Sequence, residues 1–202
     1  MTTLLRIDSS LRRDDSDSRA LADRFVTTWR QRHPEGRVLV RDLAVEPVPH
    51  LDGVMLAALG TSPEARDAEA AGRVALADAL LAEFMSADEI VLAVPMYNFG
   101  IPSTLKAYLD HVARAGVTFR YTAAGPEGLA GDKRVTLLLT RGGRYTGSPL
   151  DHQAPYLRTF FGFLGITDIR EIVAEGLNID ADTRTQALAA AVERLNGRKE
   201  AA

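Results

Sequence analysis

Apolar residues fall along the chain in two alternating rhythms. Short runs recur at residues 3–8, Val38-Leu39-Val40, Ile90-Val91-Leu92-Ala93-Val94, Lys133–Leu139 and Ile169–Ala174. They are rich in leucine and β-branched residues and too short for core helices. Such runs predict strands buried on both faces, as in a parallel sheet. Between them the apolar positions follow a helical period. Leu21, Phe25 and Trp29 lie at i, i+4 and i+8, and Leu105, Leu109 and Val112 share the face of a helix opened by Pro102 and Ser103. Proline suits the first turn of that helix. A long helix is predicted to start at Gly60-Thr61-Ser62-Pro63 and end near Met85, with Leu76, Leu80 and Phe84 as its inner stripe. Tyr156–Ile166 reads as a helix stopping at Gly165, Ala187–Leu195 as the terminal helix, and Arg198–Ala202 as a frayed end. Strands alternating with helices predict one α/β domain over residues 1–202: a doubly wound, five-stranded parallel sheet with helices on both faces. Right-handed crossovers, with a ligand loop after the first strand, give the order 2-1-3-4-5.

Open α/β sheets bind ligands at the carboxyl ends of their strands, so the loops there are the candidate site. The first runs Ser9-Ser10-Leu11-Arg12-Arg13-Asp14-Asp15-Ser16-Asp17-Ser18 into a helix. Free amides and the helix dipole favour a phosphate there, and serine hydroxyls bond it without adding charge. The plainer alternative is that Ser16 or Ser18 caps the helix. The loop is neither GxGxxG nor a Walker loop, so dinucleotide and P-loop readings lose support.

After the third strand, which Pro95 ends, come Met96, Tyr97, Asn98, Phe99 and Gly100. These offer apolar walls, and Asn98 both donates and accepts, as an imide edge requires. The amides of Asn98, Phe99 and Gly100 are expected to be free for ring carbonyl oxygens. A flat heteroaromatic ligand suits this set; an ordinary loop with inward-packed aromatics is the alternative. After the fourth strand, Thr140-Arg141-Gly142-Gly143 lets backbone approach a ring closely, or simply ends the strand in a turn. Val117–Thr122 alternates like an extended segment, is turned by Gly125-Pro126 and returns through Glu127-Gly128-Leu129.

The stretch Pro95–Thr122, PMYNFGIPSTLKAYLDHVARAGVTFRYT, resembles the FMN-dependent NADH:quinone oxidoreductases, also called FMN-dependent azoreductases, a flavodoxin-like family. Ser9-Ser10, Ser16-Asp17-Ser18, Thr140–Gly143 and Pro155–Asp168 extend the likeness over nearly the whole chain. Gly100-Ile101-Pro102 departs from the expected triplet after the phenylalanine, and Thr140 stands for a serine. The resemblance implies a flavodoxin-like fold, bound FMN and a two-electron, ping-pong transfer from NADH or NADPH to quinones and aromatic azo compounds. It implies that Ser10, Ser16 and Ser18 hold the FMN phosphate, with Asp17 in the middle of that cofactor-binding loop. Met96, Tyr97, Asn98, Phe99 and Thr140, Arg141, Gly142, Gly143 would contact the isoalloxazine, and Phe99, Tyr121 and Phe163 the substrate. It further implies a homodimer with a shared cleft. No side chain is nominated as an obligatory acid or base, because the flavin carries the redox chemistry. Asp14, Asp15 and Asp17 oppose a phosphate, so Asp17 is expected to point outward or toward Arg19 or Arg13. Arg120 and Arg141 are candidates for a 2′-phosphate of NADPH.

Composition narrows the rest. At 202 residues and 46 % hydrophobic, the chain can bury a sizeable core. A net charge of −3 without a basic stripe points away from nucleic acid. With no cysteine there is no disulfide and no thiol nucleophile. His33, His50, His111 and His152 show no metal-ligand spacing. No leader and no membrane-spanning run is read, so a soluble cytoplasmic protein is expected. Three rivals remain. A one-electron flavodoxin-type carrier shares fold and cofactor, but tends to be more acidic and does not require a roomy aromatic pocket. A phosphodiester hydrolase would need a metal cluster or activated nucleophile. The third is a non-enzymatic binding module.

Overall fold

The computed structural model describes residues 1–197; the frayed end expected for Arg198–Ala202 lies outside them. In chain order the elements are β1 (Thr3–Asp8), α1 (Asp17–Arg32), β2 (Arg37–Asp42), α2 (Gly53–Gly60), a 3-10 turn (Pro63–Ala65), α3 (Ala68–Ser86), β3 (Glu89–Pro95), α4 (Ser103–Val112), β4 (Phe119–Thr122), β5 (Gly125–Gly128), β6 (Arg134–Thr140), α5 (Ala154–Phe163), β7 (Asp168–Ala174) and α6 (Ala181–Asn196). The sheet order is β2-β1-β3-β6-β7, every pair parallel. This is the predicted 2-1-3-4-5 order, with the β4–β5 hairpin standing outside the sheet.

The apolar runs explain the layering. In β3, Ile90, Leu92 and Val94 belong to one core with residues of α3, α4 and α5, while Val91 and Ala93 belong to the other with α1 and α6. Alternation of period two thus feeds both faces, which is why the run is apolar throughout. The chain leaves β1 toward β2 on one side and leaves β3 toward β6 on the other, so the connections diverge between β1 and β3. A crevice opens there, at the carboxyl edge.

One element is added and three expectations are corrected. The segment after Pro47-Val48-Pro49-His50 contains α2, whose Asp52 cap accepts from the Met55 amide at 2.8 Å. The long helix begins at Ala68 under an Asp67 cap, and it buries Val74, Ala77, Leu80, Leu81 and Phe84. Leu76 is 40 % exposed, because each step of four residues drifts about 40° around the helix. The hairpin turns at Ala123-Ala124, and Pro126 sits inside the ladder opposite Tyr121. Finally, α6 starts at Ala181 rather than Ala187, because Asp180 caps it by accepting from the Thr183 amide at 2.8 Å and hydroxyl at 2.7 Å.

The hairpin docks on the end of α5. Phe119 packs on Phe163 with ring centroids 4.6 Å apart, and the Ala130 amide donates to the Leu164 carbonyl at 3.0 Å. Gly128 and Gly165 bring two backbones together: a Cβ on Gly128 would lie 2.0 Å from the Gly165 nitrogen. Gly165 adopts φ +86, which suits glycine. Backbone cannot yield as a side chain would. Gly128→Ala is expected to lower stability by about 1–3 kcal/mol, read as the urea midpoint; an unchanged midpoint would show that the hairpin does not depend on this approach.

Candidate functional site

The loop after β1 is held from beneath. Ser9 continues the β1–β3 ladder, its amide donating to the Ala93 carbonyl at 3.1 Å and its hydroxyl to the same oxygen at 2.8 Å. Ser10 is buried; its hydroxyl accepts from the Arg12 amide, and its carbonyl accepts from Arg19 at 2.9 Å. Arg19 in turn grips Asp42 at the end of β2 with two bonds of 2.6 and 2.7 Å. That bond holds the Asp42 carboxyl below its ordinary value. Burial raises the Asp8 pKa, against the opposing pull of Arg6 and Arg19. So the guanidinium of Arg19 joins β1, α1 and β2 into one cradle floor.

The start of α1 differs from its neighbours. Asp52, Asp67 and Asp180 each cap their own helix through a side-chain oxygen. Ser16 occupies the cap position of α1 but makes no such bond; its hydroxyl lies 3.2 Å from that of Ser18. The plainer capping role is therefore not taken. Asp17 points neither toward Arg19 nor toward Arg13: its carboxylate pairs with Arg184 of α6 at 2.6 and 2.8 Å. Asp14 and Asp15 are exposed, and Asp15 takes φ +55.

The loop after β3 is a closed two-residue turn. Tyr97 and Gly100 exchange both backbone bonds at 3.0 Å, with Asn98 at φ +48 and Phe99 at φ +69. Left-handed residues at both central positions define a type I′ turn, for which Asn-Gly is preferred. Asn98 fits; Phe99 carries strain of about 1–3 kcal/mol. The Gly100 amide is consumed by this turn, contrary to expectation, and Asn98 and Phe99 form its tip. Phe99 remains 44 % exposed and meets Tyr145 edge-on at 5.7 Å. The Tyr97 hydroxyl accepts from the Leu11 amide at 3.2 Å, tying this loop to the first. Pro102 stands at the cap of α4 rather than inside its first turn.

The loop after β6 is nailed by a buried cation. Arg141 is 1 % exposed and donates to Gln153 at 2.9 Å, Asp151 at 2.9 Å and Thr146 at 3.3 Å. Gln153 continues to the Val94 carbonyl, and Asp151 also accepts from the Gln153 and Ala154 amides at the start of α5. Glu175 accepts from the Tyr145 and Thr146 amides; burial would raise its pKa, but these bonds and Arg141 bring it below its usual value. The segment after β7 extends the pairing, with Leu177 and Asn178 amides donating to the Arg141 and Gly142 carbonyls at 3.1 and 3.0 Å. A Cβ on Gly142 would meet the Asn178 side-chain nitrogen at 2.6 Å, so the Asn178 side chain would have to shift to admit one.

These loops converge. Ser10, Ser16, Asp17, Met96, Tyr97, Thr140, Arg141 and Gly142 border one cavity of about 220 Å³, together with Arg12, Asp15, Pro95, Leu177 and Asn178. Arg12, Met96 and Tyr97 also border a wider cleft of about 1030 Å³, with Asn98, Ser103 and Lys106 of α4, His50, His152 and Tyr156. Burial pushes the Tyr156 hydroxyl up to about 12. Ser18 is fully buried at the floor, and Gly143 packs against Tyr145. Tyr121 and Phe163 are not among the lining residues: Phe163 lies under Phe119, and Tyr121 is 76 % exposed. Arg120 is spent on Glu127 at 2.8 Å and Arg141 on its buried partners, so neither offers a free cation. Arg12, Leu177 and Asn178 escaped the sequence reading. Leu177 and Asn178 follow β7 at the same carboxyl edge, a signal that would have found those two.

Another cavity, of about 470 Å³, opens at the opposite edge beside Lys133 and Glu89. There Lys133 is committed to the Met85 and Ala87 carbonyls at 2.8 and 2.7 Å, closing the end of α3. Among the described residues no group of three His, Asp or Glu side chains could hold a metal ion, and no helix is long and apolar enough to cross a membrane.

Residues 2–198 match the family description "Flavodoxin-like fold". The chain is 52 % identical over 196 residues to an FMN-dependent NADH:quinone oxidoreductase of Azotobacter vinelandii, covering 96 % of this chain and 98 % of that one. It is 50 % identical over 195 residues to FMN-dependent NADH:quinone oxidoreductase 6 of Burkholderia lata, again covering 96 % and 98 %. Among solved structures, an FMN-dependent NADH-azoreductase from Bacillus anthracis in complex with FMN superposes with a TM-score of 0.88 at 27 % identity, covering 96 % of each chain.

Removing Arg141 would strand the carboxylate of Asp151 and the amide of Gln153 in the interior. Arg141→Met is expected to cost about 3–5 kcal/mol, measured by denaturant unfolding. A loss below about 1 kcal/mol, the range of surface pairs, would mean that this network does not hold the loop.

Proposed function

The chain belongs to the flavodoxin-like family of FMN-dependent NADH:quinone oxidoreductases, and we propose that it carries two electrons from NADH through FMN to quinones and aromatic azo compounds. The observation that supports this most is the continuity of the site. An uncapped helix end flanked by serines shares one cavity with the β3 and β6 loops, and Arg12, Met96 and Tyr97 border both that cavity and a wide cleft.

The donor set fits the cofactor. Ser10, Ser16 and Ser18 with the first amides of α1 would hold the phosphate, a group that needs donors without added negative charge. Arg12 supplies a cation at the border between cradle and cleft. Asn98 and the turn-tip amides would take the imide edge, and backbone at Thr140–Gly143 the opposite side of the ring. The chemistry FMN supplies when bound is hydride acceptance from NADH and two-electron donation to the acceptor, in alternating half-reactions. Met96 and Tyr97 wall the cleft and keep water from the reacting face. The rigid turn at Asn98-Phe99 presents fixed dipoles where negative charge develops. Tyr156 borders the cleft, and its hydroxyl, protonated at neutral pH as in any tyrosine, would serve as a hydrogen-bond donor there. A one-electron carrier would not need a cleft of this size.

The same reading includes a homodimer. Tyr121, exposed on the hairpin, and Phe163 beneath it lie outside the cleft of their own copy, so their substrate role requires a second copy to present them. Exposed Val54, Leu56 and Leu76 add apolar surface on α2 and α3. A cytoplasmic location belongs to this reading because NADH is supplied inside cells.

The test is spectroscopic. Purified protein mixed with FMN and desalted is expected to keep the flavin absorption bands, to lose them under NADH without oxygen, and to regain them on adding menadione. A colourless protein would overturn the reading. Ser16→Asp places a carboxylate against the phosphate and is expected to weaken FMN binding at least about tenfold; full loading of that variant would remove the phosphate role of this loop.

A further inference from the structure

Two anions contend for the amino end of α1. Asp17 opens the helix between Ser16 and Ser18, and it borders the cavity of about 220 Å³. A helix dipole favours one nearby negative charge, but two repel each other. The structure shows how Asp17 is withdrawn. Arg184 donates to both its carboxylate oxygens, at 2.6 and 2.8 Å, a two-point grip that fixes direction as well as distance. Arg184 sits in the first turn of α6, where a cation gains nothing from that helix's own dipole. The pair is partly exposed, 37 % and 20 %, and such pairs add little to folding stability. Its placement is thus explained by neither helix alone.

We propose that Arg184 is a positioning residue for the phosphate site. By neutralising Asp17 and drawing its carboxylate toward α6, it sets the preference of this chain for a phosphorylated over an unphosphorylated flavin. The inference rests on the phosphate reading of the α1 end given above. It assigns a specificity role to a residue far along the chain from the serines it serves.

The experiment compares FMN with riboflavin. Flavin is removed from the full-length protein, and each compound is titrated back at low ionic strength by fluorescence quenching. Wild type is expected to bind FMN more tightly than riboflavin; equal binding would overturn the phosphate reading itself. Given that preference, Arg184→Ala is expected to weaken FMN about tenfold, leaving riboflavin affinity and the apoprotein melting temperature unchanged. Adding Asp17→Asn to Arg184→Ala is expected to restore FMN affinity, because the freed carboxylate is gone. Arg184→Gln, which keeps polar bulk, carries the same expectation should the alanine variant fold poorly. An unchanged FMN preference in the Arg184 variants, an equal loss for both flavins, or no restoration by Asp17→Asn would overturn the inference while leaving the phosphate site standing.

Discussion

Burial of β3 on both faces is the constraint from which the site follows. A strand covered by α3, α4 and α5 on one side and by α1 and α6 on the other has no exposed face to offer. Its neighbours β1 and β6 run parallel to it, so all three release the chain at the same edge. Parallel strands require crossovers on the sheet faces, and these carry the return segments away from that edge. Only loops remain there. Because the chain leaves β1 toward β2 and β3 toward β6, in opposite directions, the loops part instead of crossing, and a crevice is left between them.

Loops at such an edge need something to hold them, and arginines do this work here. Arg19 joins the Ser10 carbonyl to Asp42. Arg141 joins the β6 loop to Asp151 at the head of α5. Arg184 joins α6 to Asp17 at the head of α1. Each cation spans two elements and pairs with a carboxylate. The planar guanidinium suits the task, since it satisfies several acceptors in one fixed plane. Charge pairing and mechanical bracing beside the crevice are therefore carried by the same side chains.

Much of this was legible in the sequence, for reasons that can be traced. The strands announced themselves because burial on two faces leaves unbroken apolar runs, and their order followed from handedness and from the serine-rich loop. The three edge loops drew attention because serines, an aromatic run and paired glycines are unusual for plain turns, and residues of all three border one cavity. What escaped had no such signature. The segment of α2 is apolar nearly all round, so it offers no helical period. The turn at Ala123-Ala124 lacks glycine and proline, whereas the nearby Gly125-Pro126 pair mimics a turn while sitting in a strand. The buried bonds of Arg141 and the partner of Asp17 depend on residues distant in the chain, and no local pattern encodes them. Asn178 lies past the last apolar run, where no pattern marks it, although the pairing between the β6 and β7 segments runs on to it.

The hairpin of β4 and β5 lies outside the main sheet, and its seat is the end of α5: Phe119 on Phe163 and the Gly128–Gly165 approach. The two strands that cross it to water, with an exposed turn at Ala123-Ala124, share no ladder with the five strands that carry the crevice. Such a part can lengthen, shorten or change its tip without shifting the register of the sheet. The hairpin is thus a mechanically separable part: what it presents above α5 is set apart from the strand register that shapes the cradle.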